Sequence, residues 1–348
     1  MTIQPLRVVQ WATGTVGQAA LRHFIGNPHF QPVGVLVTNP DKVGRDAGEL
    51  VGLPAIGLAA TDDVEAILAL DADCVHFAPL LPDVDTVCRL LRSGKNVVSP
   101  LGPVYASEPF RADVEKIEAA CREGGVSFHG TGIHPGFIGD ILPLTLTRLS
   151  DRIDRIQVFE IADKLKTPSV YIEYMGFGLS PDELAARPNC MTGAMHAFAQ
   201  SMAFVVEGLG KRIGDVTERH EIALATHDIA YEGGVICAGT VAGQHWEWTA
   251  LVDGAPFLVY HLYYRMGEDM TPAWNLGESR HRILVEGAPS FELTLAASPE
   301  ADGHLPFLGI TWTALLGATA IPAVCAAAPG FVTHMDLGIV KPLGLARA

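Results

Sequence analysis

Charge is what this chain has least of. Only 18% of its 348 residues are Asp, Glu, Lys or Arg, while 49% are apolar. Basic residues are the scarcer sign: 24 Lys and Arg face 39 Asp and Glu, a formal charge of −15. A nucleic-acid partner needs a basic surface to meet phosphates, so that class is excluded. Intrinsic disorder is excluded too, because it requires low hydrophobicity together with high charge. The six cysteines, Cys74, Cys88, Cys121, Cys190, Cys237 and Cys325, include no CxxC pair. That rules out a zinc ribbon or a disulfide framework and leads us to expect buried thiols in a reducing cytoplasm. Met1–Arg7 has no basic region running into an apolar one, so no secretory leader is expected. The dispersed histidines suggest no metal. His220 and His227 lie near Glu218, Glu221 and Asp228, but not at a metal-ligand spacing.

The stretch Leu305–Thr333 contains no charged residue and no histidine. It exceeds the ~20 residues that span a bilayer. Pro306, Pro322, Pro329, Gly309, Gly317 and Gly330 interrupt it, and its flanks lack the Lys/Arg clusters that fix membrane topology. The segment therefore reads as a helix buried in the core or across a dimer interface, with no membrane span.

What is present is periodicity. Over residues 1–150, short apolar runs alternate with helix-length segments, and the runs count as six strands, including Leu6–Ala12, Val33–Thr38, Cys74–Ala78, Asn96–Ser99 and Val126–Gly130. This predicts an α/β fold with a doubly wound parallel sheet. Beyond residue 151, long strand-like runs are separated by Gly233-Gly234 and Asp253-Gly254, with helices over Ser180–Arg187 and Met191–Gly210. This predicts an α+β domain over 151–305 on a mostly antiparallel sheet, with 306–348 as an apolar helix and tail.

The first strand runs into Ala12-Thr13-Gly14-Thr15-Val16-Gly17. This is the dinucleotide fingerprint with alanine in place of its first glycine. Gly14 lets a pyrophosphate approach, Gly17 lets helix and strand pack closely, and the helix start offers amide donors. No acid stands at Thr38 or Asn39, where NAD-specific folds hold ribose hydroxyls, and Lys42 and Arg45 follow. A 2′-phosphate would meet cations there, so NADP is preferred and NAD tolerated. Ligands of open α/β sheets bind beyond the carboxyl ends of strands, which adds Ala78, Pro79, Leu101, Gly132 and Pro135 to the cofactor contacts. His134 is the acid/base candidate, with the tyrosine hydroxyls of Tyr171 and Tyr174 as alternatives. Asp140 is read as capping or orienting the His134 loop. Leu101, Phe137, Ile138, Tyr171, Met175, Phe177 and His196 are candidate substrate contacts.

Ala12–Gly17, Lys42–Gly48, Gly130–Phe137, Met175–Gly178 and Ala320–Cys325, in this order and spacing, resemble the dihydrodipicolinate-reductase-like family that includes native NAD(P)H-dependent amine dehydrogenases and 2,4-diaminopentanoate dehydrogenase. The resemblance covers nearly the whole chain. It implies a Rossmann domain, a second domain that completes the active site and contributes to a homodimer, and hydride transfer to a C=N or C=O carbon. Two departures matter. The paired-His motif and nearby Lys of true dihydrodipicolinate reductases are missing. Where the family's amine dehydrogenases carry a catalytic glutamate, after what counts here as the fifth strand, this chain reads Pro100-Leu101-Gly102-Pro103, and His134 stands where Asn is usual. The expected activity is thus NAD(P)H-dependent reduction of a small to medium apolar ketone, aldehyde or imine. The alternatives are ammonia-dependent amine dehydrogenation with a relocated base, Glu108 or Glu173, and a non-catalytic dinucleotide-binding redox sensor.

Overall fold

The computed structural model describes residues 4–167, 169–187, 192–299 and 308–346; Cys190, Met191 and Leu305–Phe307 lie outside them. In chain order the elements begin with β1 (Leu6–Trp11), α1 (Thr15–Gly26), β2 (Phe30–Leu36), α2 (Val64–Ala69), β3 (Cys74–Phe77), α3 (Val84–Arg92), β4 (Asn96–Ser99), α4 (Arg111–Gly124) and β5 (Ser127–Gly130). They continue with α5 (Leu142–Leu146), β6 (Arg152–Asp163), α6 (Ser169–Met175), α7 (Pro181–Ala186), α8 (Thr192–Gly208), β7 (Val216–Ala225), β8 (Ile229–Tyr231), β9 (Gly234–Ile236), β10 (Val241–Val252), β11 (Ala255–Arg265), β12 (Met270–Thr271), β13 (Arg280–Ala288) and β14 (Phe291–Leu295). The chain closes with α9 (Leu308–Cys325), β15 (Gly330–Phe331) and α10 (His334–Leu337).

Two compact units result, one from residues 1–137 with 308–348, the other from 138–307. The first is built on a six-stranded sheet of order β15-β5-β4-β3-β1-β2, parallel throughout. Sequence periodicity counts six strands before residue 150. The described residues there hold five, because the stretch between β2 and β3 forms only the isolated bridges Leu36–Thr61 and Asp46–Ala59. The sixth place goes to β15, which pairs with β5 from the far end of the sequence.

Alternation along each strand sends neighbours to opposite faces. Val9, Trp11, Val75, Phe77 and Val97 pack against Leu90, Leu91 and Ile117 of α3 and α4. Val8, Cys74 and Val98 pack against Ala20 and Phe24 of α1 and Ala314, Ala318 and Ile321 of α9. The uncharged C-terminal segment is therefore core: α9 is apolar all round, as a helix enclosed by neighbours should be. Among the described residues, no helix is long and apolar enough to cross a membrane.

The second unit carries a seven-stranded sheet of order β12-β7-β10-β11-β6-β13-β14, antiparallel except for the β11–β6 pair. One face is apolar: Ile156, Val158, Trp246, Trp248, Tyr260, Leu262, Ile283 and Val285 are fully buried. Phe198 of α8 stacks on Trp248 there at 4.8 Å. The other face is polar and aromatic, with Arg155 gripping Glu286 through two hydrogen bonds of 2.9 and 2.8 Å.

Three histidines of the first unit, His76, His129 and His334, are deeply buried, and burial pushes them down to about 4, about 4 and about 3. An unfolded imidazole titrates near ~6.5. Above that pH neither state is protonated. Below it the unfolded chain takes up protons that the folded chain excludes. Stability should fall from pH ~6.5 toward ~4, by up to ~1.4 kcal/mol per pH unit for each histidine. Urea midpoints measured across that window check this, and a flat profile would contradict it.

Candidate active site

The glycine-rich turn of the first unit is braced from below. Gln10, 1% exposed, donates from Nε2 to the carbonyls of Trp11 (3.0 Å) and Ala12 (2.9 Å), and its Oε1 accepts from His76 Nδ1 at 2.9 Å. Ala12 sits at φ 67, the left-handed region that normally favours glycine. Helix α1 follows, with Gly14 as an extended N-cap, no side-chain cap and no acid in its first turn. Its amide end is thus left for an anion. A Cβ on Gly14 would meet nothing within 4 Å, whereas one on Gly17 would lie 2.1 Å from Ala12 O. These residues fit a dinucleotide: an open face over Gly14 for the pyrophosphate and a closed one at Gly17 for helix packing.

Lys42 reaches back to this turn, Nζ donating to Thr13 O at 2.8 Å and to Thr13 Oγ1 at 3.2 Å. Thr38, Asn39 and Arg45 are exposed alongside. Neighbouring Asp46 serves the backbone. Its carboxylate accepts N–H groups from Ile56, Gly48, Gly57 and Leu58, and these bonds, Ile56 foremost, hold it below the usual carboxylate range.

At the carboxyl ends of β4 and β5 the two following loops are knit together. Thr131 N donates to Ser99 O at 3.0 Å, and Leu101 N donates to Ser99 Oγ at 3.2 Å. A Cβ on Gly130 would stand 2.0 Å from Pro103 O, and one on Gly136 would stand 2.3 Å from Gly132 N. Only glycine permits either approach. The cleft beside these loops, about 190 Å³, is lined by Phe77, Leu101, Pro103 and Phe110 and also by Asp83 and Asp113. The strands that end here are the third, fourth and fifth in the structure, not the fourth, fifth and sixth. Ala78 is buried and Pro79 half-buried after β3, and Gly132 is buried while His134 and Pro135 are half-buried after β5. Sequence reading missed His334, whose Nε2 meets Thr131 Oγ1 at 3.0 Å while its ring lies edge-on to His129. A histidine at the far end of the chain gives no local signal.

In the second unit, Tyr171, Tyr174 and Met175 share helix α6, with Phe177 just beyond it. Tyr171 and Tyr174 are exposed, at 38% and 60%, while Met175, Phe177 and Ile138 are buried. Gln244 Nε2 donates to Met175 O at 2.7 Å. Asp140 is buried, and it adds to the burial that raises the Tyr260 hydroxyl; that hydroxyl donates to Gly139 O at 2.6 Å. His196 is half-buried in α8. Neither candidate for a relocated base is sequestered: Glu108 is exposed and pairs with Arg111, and Glu173 is exposed on α6. The buried acid of this unit that sequence reading passed over is Glu160, which accepts from Tyr264 Oη at 2.9 Å. Lys164 Nζ lies 3.8 Å over the Tyr264 ring. Burial raises the Tyr264 hydroxyl and lowers the Lys164 ammonium.

The profile described as the 2,4-diaminopentanoate dehydrogenase C-terminal domain matches residues 137–346. An amine dehydrogenase of Streptomyces virginiae is 33% identical over 97% of this chain and 98% of its own length. The chain belongs to the amine dehydrogenase and 2,4-diaminopentanoate dehydrogenase family. It is an oxidoreductase with an NAD(P)-type site. A 2,4-diaminopentanoate dehydrogenase of Acetoanaerobium sticklandii is 24% identical, covering 75% of this chain and 69% of that one. The structure of an amine dehydrogenase from Mycobacterium smegmatis shares the fold, with TM-score 0.79, 21% identity and 97% of both chains covered.

The two ends of the fingerprint should respond oppositely. Ala12→Gly relieves a left-handed alanine and should leave NADPH binding unchanged or tighter. Gly17→Ala drives a methyl into Ala12 O and should abolish binding. Fluorescence titration with NADPH, alongside circular dichroism to follow folding, reads both. Equal losses in the two variants would refute the assignment of Ala12–Gly17 as the cofactor turn.

Proposed function

We propose that this oxidoreductase reduces the C=N or C=O carbon of a small to medium apolar imine, ketone or aldehyde, with NADP(H) preferred over NAD(H). A bound nicotinamide supplies the hydride. The observation that carries the reading is the wall after β4. Ser99-Pro100-Leu101-Gly102-Pro103 holds no carboxylate, its backbone is committed to the loop after β5, and the cleft beside it is faced by Phe77, Leu101 and Phe110. Such a surface excludes water from the hydride-transfer region and favours apolar groups. The loop itself offers no anion to an iminium or to ammonium; the two acids of the cleft, Asp83 and Asp113, belong to the N-cap of α3 and to α4.

The proton is assigned to His134, the one titratable side chain of the loop Gly130–Phe137 apart from buried His129 on the strand before it. Phe137, half-buried at the end of that loop, is the substrate contact of the first unit. Tyr171 and Tyr174 are the second unit's candidates, since Met175, Phe177 and Ile138 are already packed. A positioned donor contributes ~10²–10⁴-fold. His134→Ala should therefore lower kcat by that order with NADPH affinity unchanged. Unaltered turnover would remove His134 from the mechanism.

The NADP preference rests on Lys42, anchored on Thr13, and on exposed Arg45 with no acid at Thr38 or Asn39. Each charge-assisted hydrogen bond to a 2′-phosphate is worth ~1.5–3 kcal/mol. Arg45→Ala should weaken NADPH ~10-fold or more while sparing NADH, as measured by the ratio of the two KM values. Equal effects on both would show that Arg45 does not read the phosphate.

A second reading, ammonia-dependent amine dehydrogenation, is favoured by the names of the two curated relatives. A panel of ketones and preformed imines with NADPH, run with and without ammonium, separates the two. Turnover of ketones that requires ammonium selects the second reading, and ammonium-independent reduction selects the first. NADPH binding without turnover of any substrate selects a sensor.

A further inference from the structure

The polar face of the seven-stranded sheet brings together residues that the proposed reaction does not use. His245 and Glu247 are two apart on β10 and so share a face, and Glu247 is the direct cross-strand partner of His261 on β11. His245 Nε2 lies 3.2 Å from His261 Nδ1, which lies 3.6 Å from Glu247 Oε2. One ligand atom from each of the three falls within 4.8 Å of the other two. The imidazoles are 3% and 9% exposed. Both are clamped by stacking, His245 on Tyr263 at 3.8 Å and His261 on Phe159 at 4.4 Å.

The hydrogen-bond arithmetic here is one cation short. The outer nitrogen of His245, Nδ1, faces Glu221 Oε2 at 3.2 Å. The outer nitrogen of His261, Nε2, faces Gln157 Oε1 at 3.3 Å. Both oxygens can only accept, and the Gln157 amide cannot be turned, because its Nε2 donates to Glu286 at 2.7 Å. Three contacts in a row (Glu221 to His245, His245 to His261, His261 to Gln157) therefore need three ring protons, and two neutral imidazoles carry two.

The geometry points to a divalent metal site, the missing cation being an ion held by His245 Nε2, His261 Nδ1 and Glu247. Replacing the shared ring proton with a metal lets His245 Nδ1–H donate to Glu221 and His261 Nε2–H donate to Gln157, so every contact is satisfied. A carboxylate or carbonyl behind each ligating imidazole is the usual outer arrangement of such sites. The 3.2 and 3.6 Å separations bracket the ~3.3 Å edge of a tetrahedron with metal–ligand bonds of ~2.0–2.1 Å. Two imidazoles and one carboxylate select a borderline transition cation of the Zn²⁺ class over Ca²⁺ or Mg²⁺, and leave a fourth position for water.

The test is metal binding by the full chain after chelator treatment, with Zn²⁺ followed by calorimetry and Co²⁺ by visible absorption. The expected result is one Zn²⁺ per chain and the d–d bands of four-coordinate Co²⁺. His261→Gln should lose both, and Glu221→Ala, which removes the outer acceptor of His245 together with its ion pair to Arg219, should weaken Zn²⁺ by ~10–100-fold. A wild-type chain that binds no Zn²⁺ overturns the proposal. So does binding unchanged in folded His261→Gln, or a Co²⁺ spectrum of six-coordinate type. The wild-type spectrum decides the matter even if a variant fails to fold.

Discussion

A parallel sheet must be covered on both faces, and one face of this one is closed only when residues 308–348 return from the far end of the chain. Helix α9 lays Ala314, Ala318 and Ile321 beside α1 over Val8, Cys74 and Val98, and β15 then adds the edge strand next to β5. Helix α9 turns Ala314, Gly317, Ala318, Ala320, Ile321 and Val324 inward, and Gly317 is as small as it can be because a Cβ there would stand 2.7 Å from His76 Nε2. That histidine in turn holds Gln10, and Gln10 holds the left-handed Ala12. The glycine-rich turn is thus supported, through three contacts, by α9.

The same closure explains the buried histidines. β15 and α10 bring Val332 O to His129 and His334 to Thr131, so the loop after β5 is positioned by residues some 200 positions away. Neutral imidazoles suit this place. Each can donate from one nitrogen to a carbonyl or amide oxygen, and burial removes the charged form that would demand solvent.

Much of this was legible in the sequence, and what was not has identifiable causes. The strand–turn–helix of Leu6–Gly26 carries its own signals in alternation, small residues and helix periodicity. In the seven-stranded sheet the β10–β11 hairpin was legible from its long runs and the Asp253-Gly254 turn, whereas Gly233-Gly234 joins β8 to β9 in a separate two-stranded sheet. The sixth strand of the parallel sheet was not legible, because β15 is two residues long and is defined by its partner rather than by its pattern. The pairing of His261 with Glu247 was hidden by a bulge. From the Asp253-Gly254 turn, the unshifted register Val252–Ala255 and Leu251–Pro256 would place His261 opposite Trp246, on the apolar strand position. The shift between Ala250 and Leu251 moves it opposite Glu247. Glu160 was overlooked for a related reason: flanked by Phe159 and Ile161, it reads as part of an ordinary strand, and only tertiary structure supplies the Tyr264 hydroxyl that justifies its burial.

The loop after β4, Pro100–Pro103, holds no carboxylate and is fixed in place by its packing. Pro103 O approaches Gly130 so closely that neither loop can shift, Gly102 takes φ 72 to make the approach, and Ser99 ties both loops through its carbonyl and hydroxyl. The Ser99–Thr131 hydrogen bond and the close approach of Pro103 O to Gly130 tie the loop after β4 to the loop that carries His134, so a change at Gly102 or Pro103 would be felt in both.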